Sequence, residues 1–184
     1  FPDIYTYAVK KGLLTTLFTN GTCITPEIAD RIAELPPLSI EITLYGSTKE
    51  TYESVTGIPG SYERCLRGIG LLLERKLPLE LKSMVLTLNK KEVWDMKAYA
   101  ENLGLKFRFD PVLNLRLDRR VGPEGVRIPS REVVDMDILD EKRLKEWHEF
   151  IEKFSGSPSE YIYDCGAGVN TFHIDAYGEM SVCL

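Results

Sequence analysis

The chain of 184 residues is long enough for one domain and part of a second, and its 43% apolar and 28% charged residues are typical of a globular protein. The net charge of −5 argues against partners such as nucleic acids or anionic membranes, which select basic surfaces. No apolar run reaches the roughly 18 residues of a membrane helix, and residues 1–12 lack the apolar region of a signal peptide, so we expect a cytoplasmic protein. Neither terminus has a polar tail, and we interpret both ends as cuts in a longer protein.

Strands and helices alternate four times along the first part of the chain. The predicted strands lie at 14–19, 38–45, 79–88 and 106–110. One helix ends near Lys11 before the first strand, and another follows the first strand after Thr25-Pro26. Two helices follow the second strand, one started by a Ser47-to-Glu50 capping box and one at 61–75, and a helix capped by Asn89 and Glu92 follows the third. This alternation predicts an α/β fold with parallel strands and right-handed crossovers. One or two helices at 130–154 and a linker at 155–159 follow.

The predicted strands are polar on one face. Glu41, Thr43 and Tyr45 alternate with apolar residues, and the third and fourth strands place their charged residues in the same way: Glu80, Lys82, Lys106, Arg108 and Asp110. A parallel strand covered on both faces is almost continuously apolar, so this pattern favours a curved sheet with a polar cavity on its concave side. An open sheet with one solvated face is the alternative.

The last twenty residues predict a β-hairpin between two cysteines. Phe172, Ile174 and Ala176 alternate with polar residues before a tight turn at Gly178, and Cys165 and Cys183 flank the two arms. Two thiolates brought together by a hairpin suit an iron–sulfur cluster. The alternatives are a disulfide, which the reducing cytoplasm disfavours, a structural zinc site, which usually shows Cys-x-x-Cys pairs, and two inert cysteines.

The strand-end segments TLFTNGT, LSIEITLYGSTKETYESVTGIPGSYERCLRGI, LKSMVLTLN and FRFDP resemble the middle of the radical S-adenosylmethionine enzyme core. The closing CGAGVNTFHIDAYGEMSVC is similar to the opening of the SPASM domain, an extension that holds auxiliary iron–sulfur clusters, with Cys165, Gly178 and Cys183 at the matching positions. The resemblance covers nearly the whole chain.

The resemblance implies a partial (β/α) barrel of the radical S-adenosylmethionine type, of which this chain carries strands three to six, followed by the start of a SPASM β-hairpin. The Cys-x-x-x-Cys-x-x-Cys motif that holds the catalytic [4Fe–4S] cluster in this family does not occur in the sequence. We expect truncation to account for this. The implied domains are the barrel at 1–128, a helical linker at 129–160 and the SPASM start at 161–184.

The family's chemistry implies three cofactors, which are S-adenosylmethionine, the catalytic [4Fe–4S] cluster and an auxiliary iron–sulfur cluster, and it implies roles for particular residues. S-adenosylmethionine is reductively cleaved to a 5′-deoxyadenosyl radical that removes hydrogen from a substrate. We expect a peptide or protein as the substrate, with a small molecule as the alternative, and an external donor supplies the electron. The implied cofactor-binding residues are Thr19, Asn20, Gly21, Glu41, Thr43 and Arg64, with Arg67 as the alternative to Arg64. The implied catalytic residues are Tyr45, Lys82 and Asp110, and Cys165 and Cys183 would ligate the auxiliary cluster. Tyr45 departs from the family, where aspartate is common.

Two other functions stay open at this point. The protein could be a catalytically inactive relative that serves as a binding scaffold. It could also be an unrelated barrel lyase in which Lys82 is a buried nucleophilic amine.

Overall fold

The computed structural model describes residues 1–113, 122–155 and 167–182. The chain divides into two compact units, Phe1–Val134 and Asp135–Leu184. The helices of the first unit are α1 (Pro2–Lys10), α2 (Pro26–Glu34), α3 (Lys49–Thr56), α4 (Ser61–Glu74) and α5 (Val93–Asn102), with single 3₁₀ turns at Lys90–Glu92 and Gly122–Val126. Helix α6 (Ser130–Leu139) runs across the division, and α7 (Glu141–Phe154) lies in the second unit.

The first unit is built on a four-stranded parallel sheet. Its strands are β1 (Thr16–Thr19), β2 (Ser39–Thr43), β3 (Leu79–Met84) and β4 (Phe107–Asp110), and they lie side by side in chain order. The predicted α/β fold class is confirmed, and each strand is shorter than its apolar pattern suggested. In the sheet the carboxyl ends of all four strands meet at one edge, where parallel α/β folds place their ligands.

One face of the sheet is buried against helices. Ile40, Ile42 and Leu81 are at most 1% exposed, and they share the core with Ile69 and Leu72 of α4, which are fully buried. Burying each such side chain contributes about 1.5–3 kcal/mol, so this apolar face fixes which side of the sheet the helices cover.

The opposite face carries the charged row, as the alternation predicted. Glu41, Lys82 and Arg108 lie on neighbouring strands and contact one another. The sharing of one face by these residues is therefore confirmed, whereas a concave shape for that face stays a prediction.

Two of the predicted helix starts are wrong in detail. Thr25 does cap α2, since its hydroxyl accepts from the N–H of Ile28. Helix α3, however, begins after Thr48, whose hydroxyl accepts from the N–H of Thr51, and not after Ser47. Asn89 does not cap the following helix, because its side chain is buried and bonded to strand ends.

The second unit contains α7 and a short β-hairpin. Asp140 caps α7 through the N–H of Arg143. Strands β5 (His173–Ile174) and β6 (Met180–Ser181) pair antiparallel, and Gly178 adopts a left-handed φ of 88° in the turn between them. The predicted hairpin is confirmed, while Cys165, Cys183 and most of the predicted linker lie outside the described residues. The domain boundaries proposed from the resemblance stay predictions.

Candidate functional site

A cavity of about 700 Å³ opens at the carboxyl ends of the strands. The wall combines polar side chains with apolar ones, among them Asn20, Tyr45, Ser61, Arg64, Met84 and Leu86. The cavity is large enough for a ligand of drug or cofactor size, and its apolar lining with a few polar groups is typical of a small-molecule site. Three residues predicted from the resemblance, Asn20, Tyr45 and Arg64, line it together.

The loop after β1 is held in shape by its own side chains. The Thr19 hydroxyl accepts from the N–H of Gly21 at 3.1 Å, and the Asn20 side-chain oxygen accepts from both the N–H and the hydroxyl of Thr22. Gly21 has a φ of 73°, which favours glycine because a side chain there would be strained. These contacts present the Asn20 side of the loop to the cavity.

Helix α4 lies directly against this loop. A Cβ atom at Gly68 would lie 2.2 Å from the carbonyl oxygen of Gly21, so only glycine allows the helix and the loop to come this close. The same helix carries Arg64 on the cavity wall. The position of Arg64 relative to the loop therefore depends on the absence of a side chain at Gly68.

Asn89 ties the ends of two strands together beneath the cavity. Its amide nitrogen donates to the carbonyl oxygens of Tyr45 and Met84, both at 3.0 Å, and its oxygen accepts from the N–H of Leu86. The residue is fully buried, and all three of its partners belong to residues that line the cavity. Asn89 is thus a positioning residue that sequence analysis took for a helix cap.

Three tyrosines form an aromatic group beside the cavity. The ring centroids of Tyr45 and Tyr52 are 5.8 Å apart and those of Tyr52 and Tyr62 are 5.6 Å apart. Burial raises the pKa of each of the three phenols. The phenols therefore stay protonated at neutral pH, and Tyr45 can act at the cavity as a hydrogen-bond donor but not as a base.

Arg64 brings a positive charge to the cavity wall. Among the residues that the structure describes, no hydrogen bond or ion pair engages its guanidinium. The neighbouring cation on the same helix, Arg67, is exposed and is not part of the lining. Of the two arginines that α4 offers, only Arg64 is placed to bind an anionic group of a ligand in the cavity.

Lys82 lies on the charged face with its ammonium 3.5 Å from Glu41 Oε2 and 3.8 Å from the centroid of the Phe18 ring. Burial lowers its pKa, although Glu41 acts in the opposite direction. Because the amine is paired with a carboxylate, it is poorly suited to the nucleophilic role of a lyase.

The remaining predicted residues lie near the cavity without lining it. The Thr43 side chain is close enough to Tyr45 to oppose the effect of burial on the phenol pKa. Asp110 is exposed at the end of β4, where its carboxylate accepts from the N–H of Val112 at 2.8 Å. Glu41 accepts from Arg108 and pairs with Lys82, so it contacts side chains of the charged face and not the cavity.

A fixed carboxylate that the sequence did not reveal holds the loop next to Tyr45. Glu92 accepts from the backbone N–H groups of Ser47 and Thr48 at 2.7 and 3.1 Å, and also from the hydroxyls of Ser47, Thr48 and Thr51. Its donors are 41 to 45 residues away in the chain. No local pattern signals such a contact, which is why Glu92 was assigned to the cap of its own helix.

The described residues contain no group of three or more histidine, cysteine, aspartate or glutamate side chains that could hold a metal ion. Of the four cysteines in the sequence, Cys65 is buried in α4 and Cys23 is exposed after β1. The two cysteines predicted as ligands of an auxiliary cluster, Cys165 and Cys183, lie outside the described part of the chain. Their approach to one another therefore stays a prediction.

Comparisons with known proteins identify relatives of this chain. No protein-family model matches it. It is 31% identical over 106 residues to an AdoMet-dependent heme synthase of Methanosarcina barkeri, a match that covers 56% of this chain and 30% of that protein. It is 25% identical over 158 residues to the PqqA peptide cyclase of Rhizobium meliloti, covering 84% of this chain and 41% of that protein. The chain thus spans less than half of the curated relatives it matches.

A solved structure shares the fold. A domain of pyruvate-formate lyase-activating enzyme from Bacteroides vulgatus superimposes with a TM-score of 0.55 at 16% identity, covering 80% of this chain and 84% of that one. At this identity the match supports the arrangement of strands and helices and not a shared substrate.

Proposed function

We propose that this chain, a relative of the radical S-adenosylmethionine enzymes, forms the part of such an enzyme that binds S-adenosylmethionine and positions the substrate. The relationship confirms the family resemblance of the strand-end segments and implies an enzyme as the parent protein. The SPASM assignment of residues 161–184 remains our proposal.

The observation that carries the proposal is the cavity at the carboxyl ends of the strands, where Arg64 is the one arginine among the described lining residues. S-adenosylmethionine bears a carboxylate that Arg64 would pair with, and adenine and ribose groups that suit the aromatic and polar wall. We assign Asn20, Thr19 and Gly21 to contacts made by the loop after β1. Thr43 would donate from β2, and Glu41 would act indirectly by holding its neighbours on the charged face.

Bound S-adenosylmethionine would supply, after reductive cleavage, a radical that removes a hydrogen atom from the substrate. This chain's own part is to orient the substrate and to limit the access of water. Tyr45, Lys82 and Asp110 are our candidates for substrate contacts, with Tyr45 as a donor because its phenol stays protonated. An electron donor outside this chain would provide the electron, and Cys165 and Cys183 would ligate an auxiliary cluster.

For the substrate we propose a peptide or protein, since one relative is named a peptide cyclase. Another relative is named a heme synthase, and a small molecule is therefore the second candidate. No helix in the described ranges is long and apolar enough to cross a membrane. We propose a cytoplasmic protein without a nucleic-acid or membrane partner, which agrees with its net charge of −5.

The two other functions are less well supported. The pairing of Lys82 with Glu41 argues against a lysine-dependent lyase. A catalytically inactive scaffold remains distinct from our proposal, because it would not need to bind S-adenosylmethionine.

Titration calorimetry of this chain with S-adenosylmethionine tests the proposal. We expect binding that Arg64→Gln weakens by tenfold or more, because a hydrogen bond to a charged group contributes about 1.5–3 kcal/mol. Arg67→Gln, on the same helix but off the cavity, is the matched control and should bind like the unaltered chain. Absence of binding, or equal loss in both variants, would contradict the proposal.

A further inference from the structure

Two cations on the charged face converge on a single carboxylate oxygen. Arg108 Nε lies 3.1 Å from Glu41 Oε2, Arg108 Nη2 donates to the same atom, and Lys82 Nζ is 3.5 Å from it. Lys82 and Arg108 are direct neighbours in the register of β3 and β4. The cluster formed by Glu41, Lys82 and Arg108 therefore has a net charge of +1.

Among the described residues, no neighbouring carboxylate forms an ion pair that neutralises this positive charge. On the adjacent row, Glu80 is paired with Lys106 at 3.2 Å, which makes that pair neutral. Asp110 is on the same face, but its carboxylate accepts from the N–H of Val112, and no ion pair among the described residues joins it to the cluster. The cluster thus has capacity for one more anionic group.

The ammonium of Lys82 is also shielded from water on one side. The Phe18 ring, whose centroid is 3.8 Å away, covers it, and the lysine side chain is only 21% exposed. A cation that has lost part of its hydration attracts an anion more strongly than one in bulk water. The lowered pKa of Lys82, caused chiefly by burial, agrees with this partial loss of hydration.

The cluster lies next to the cavity on the same face of the sheet. Met84, the last residue of β3, lines the cavity, and Lys82 precedes it by two residues on the same strand. Residues two apart point to the same face and are separated by about 6.6 Å along a strand. A substituent of three or four bonds on a ligand in the cavity can therefore reach the cluster.

From this arrangement we propose that Lys82 and Arg108 bind a carboxylate group of the substrate, such as an acidic side chain or the chain terminus of a peptide. The inference rests on the proposed function and adds a substrate feature to it. Glu41 holds the two cations together and lowers the affinity for the anion to a useful range. The carboxylate of S-adenosylmethionine is the other possible source of the same chemistry, and it is assigned above to Arg64.

The test uses two blocked tripeptides, acetyl-Gly-Glu-Gly-amide and acetyl-Gly-Gln-Gly-amide, which differ only in one carboxylate. Binding to the folded chain, saturated with S-adenosylmethionine, is followed by NMR titration. We expect the glutamate peptide to bind more tightly than the glutamine peptide. Arg108→Gln should reduce the preference for the glutamate peptide at least tenfold, which corresponds to about 1.4 kcal/mol.

Two variants make the test specific. The double variant Glu80→Gln/Lys106→Gln removes a neighbouring ion pair from outside the cluster without changing the net charge, and it should leave the preference unchanged. Glu41→Gln raises the charge of the cluster to +2 and should strengthen binding of the glutamate peptide severalfold. This gain cannot result from misfolding, so it keeps the test decisive if Arg108→Gln proves unstable.

Three results would overturn the inference. They are equal binding of the two peptides, an equal loss of the preference in Arg108→Gln and in Glu80→Gln/Lys106→Gln, and weaker binding of S-adenosylmethionine, but not of its decarboxylated analogue, by Arg108→Gln. The last result would assign the cluster to the cofactor. A failure of the proposed function is recognised separately, because the unaltered chain would then not bind S-adenosylmethionine at all.

Discussion

Replacing Glu92 by glutamine should destabilise the first unit and detach the loop beside Tyr45. The carboxylate accepts from five donors on Ser47, Thr48 and Thr51, and a glutamine oxygen cannot serve all of them or carry the charge that strengthens them. Burial alone would raise the pKa of Glu92, but these hydrogen bonds outweigh it and lower the pKa to about 2.

The size of the effect follows from that pKa. The difference between the ordinary value of 4.5 and about 2 would correspond to about 3.4 kcal/mol for a fully buried group. Glu92 is only partly buried, so solvent screening reduces the expected loss to roughly 1–2 kcal/mol. Since the folded state favours the ionised form, this stability is present above about pH 4.5 and is lost as the pH falls toward 2.

Urea denaturation at pH 7 and at pH 3, followed by circular dichroism, measures the prediction. Glu92→Gln should lower the free energy of unfolding at pH 7 and lose less stability than the unaltered chain between the two pH values. Glu50→Gln is the matched control, because Glu50 is the exposed residue that the local capping box would use. The proposed role of Glu92 would be refuted if Glu50→Gln cost as much, or if Glu92→Gln cost nothing.

Three further changes test the geometry of the site. Gly68→Ala should cost several kcal/mol in urea unfolding, because its Cβ would lie 2.2 Å from the Gly21 carbonyl oxygen, while Gly70→Ala on the same helix meets open space and should stabilise the chain by up to about 1 kcal/mol; equal effects would contradict the close contact. Asn89→Asp should lower the free energy of unfolding by about 1–3 kcal/mol at pH 7, since a carboxylate cannot donate to the two strand-end carbonyls. An unchanged midpoint of urea unfolding would count against the role of Asn89. Thr43→Val should weaken S-adenosylmethionine binding by about 0.5–1.5 kcal/mol in calorimetry, and unchanged affinity would remove this residue from the proposed site.

The sequence alone determined the features that depend on near neighbours in the chain. The alternation of Ile40, Ile42 and Leu44 with polar residues predicted a two-faced strand, and Thr25 before Pro26 predicted the start of α2. These predictions hold because side-chain alternation and helix capping act within a few residues.

Contacts between distant segments were decided only by the tertiary structure. Glu92 and Asn89 carry typical capping side chains, yet both bond to groups about 40 or more residues away, Glu92 to the start of α3 and Asn89 to Tyr45. A carboxylate or an amide forms hydrogen bonds with the donors or acceptors that the fold places next to it, and the local sequence does not predict which groups those are. The choice of Arg64 over Arg67 for the cavity has the same origin, because it depends on which face of α4 packs against the loop after β1, and Arg64 shares that face with Gly68.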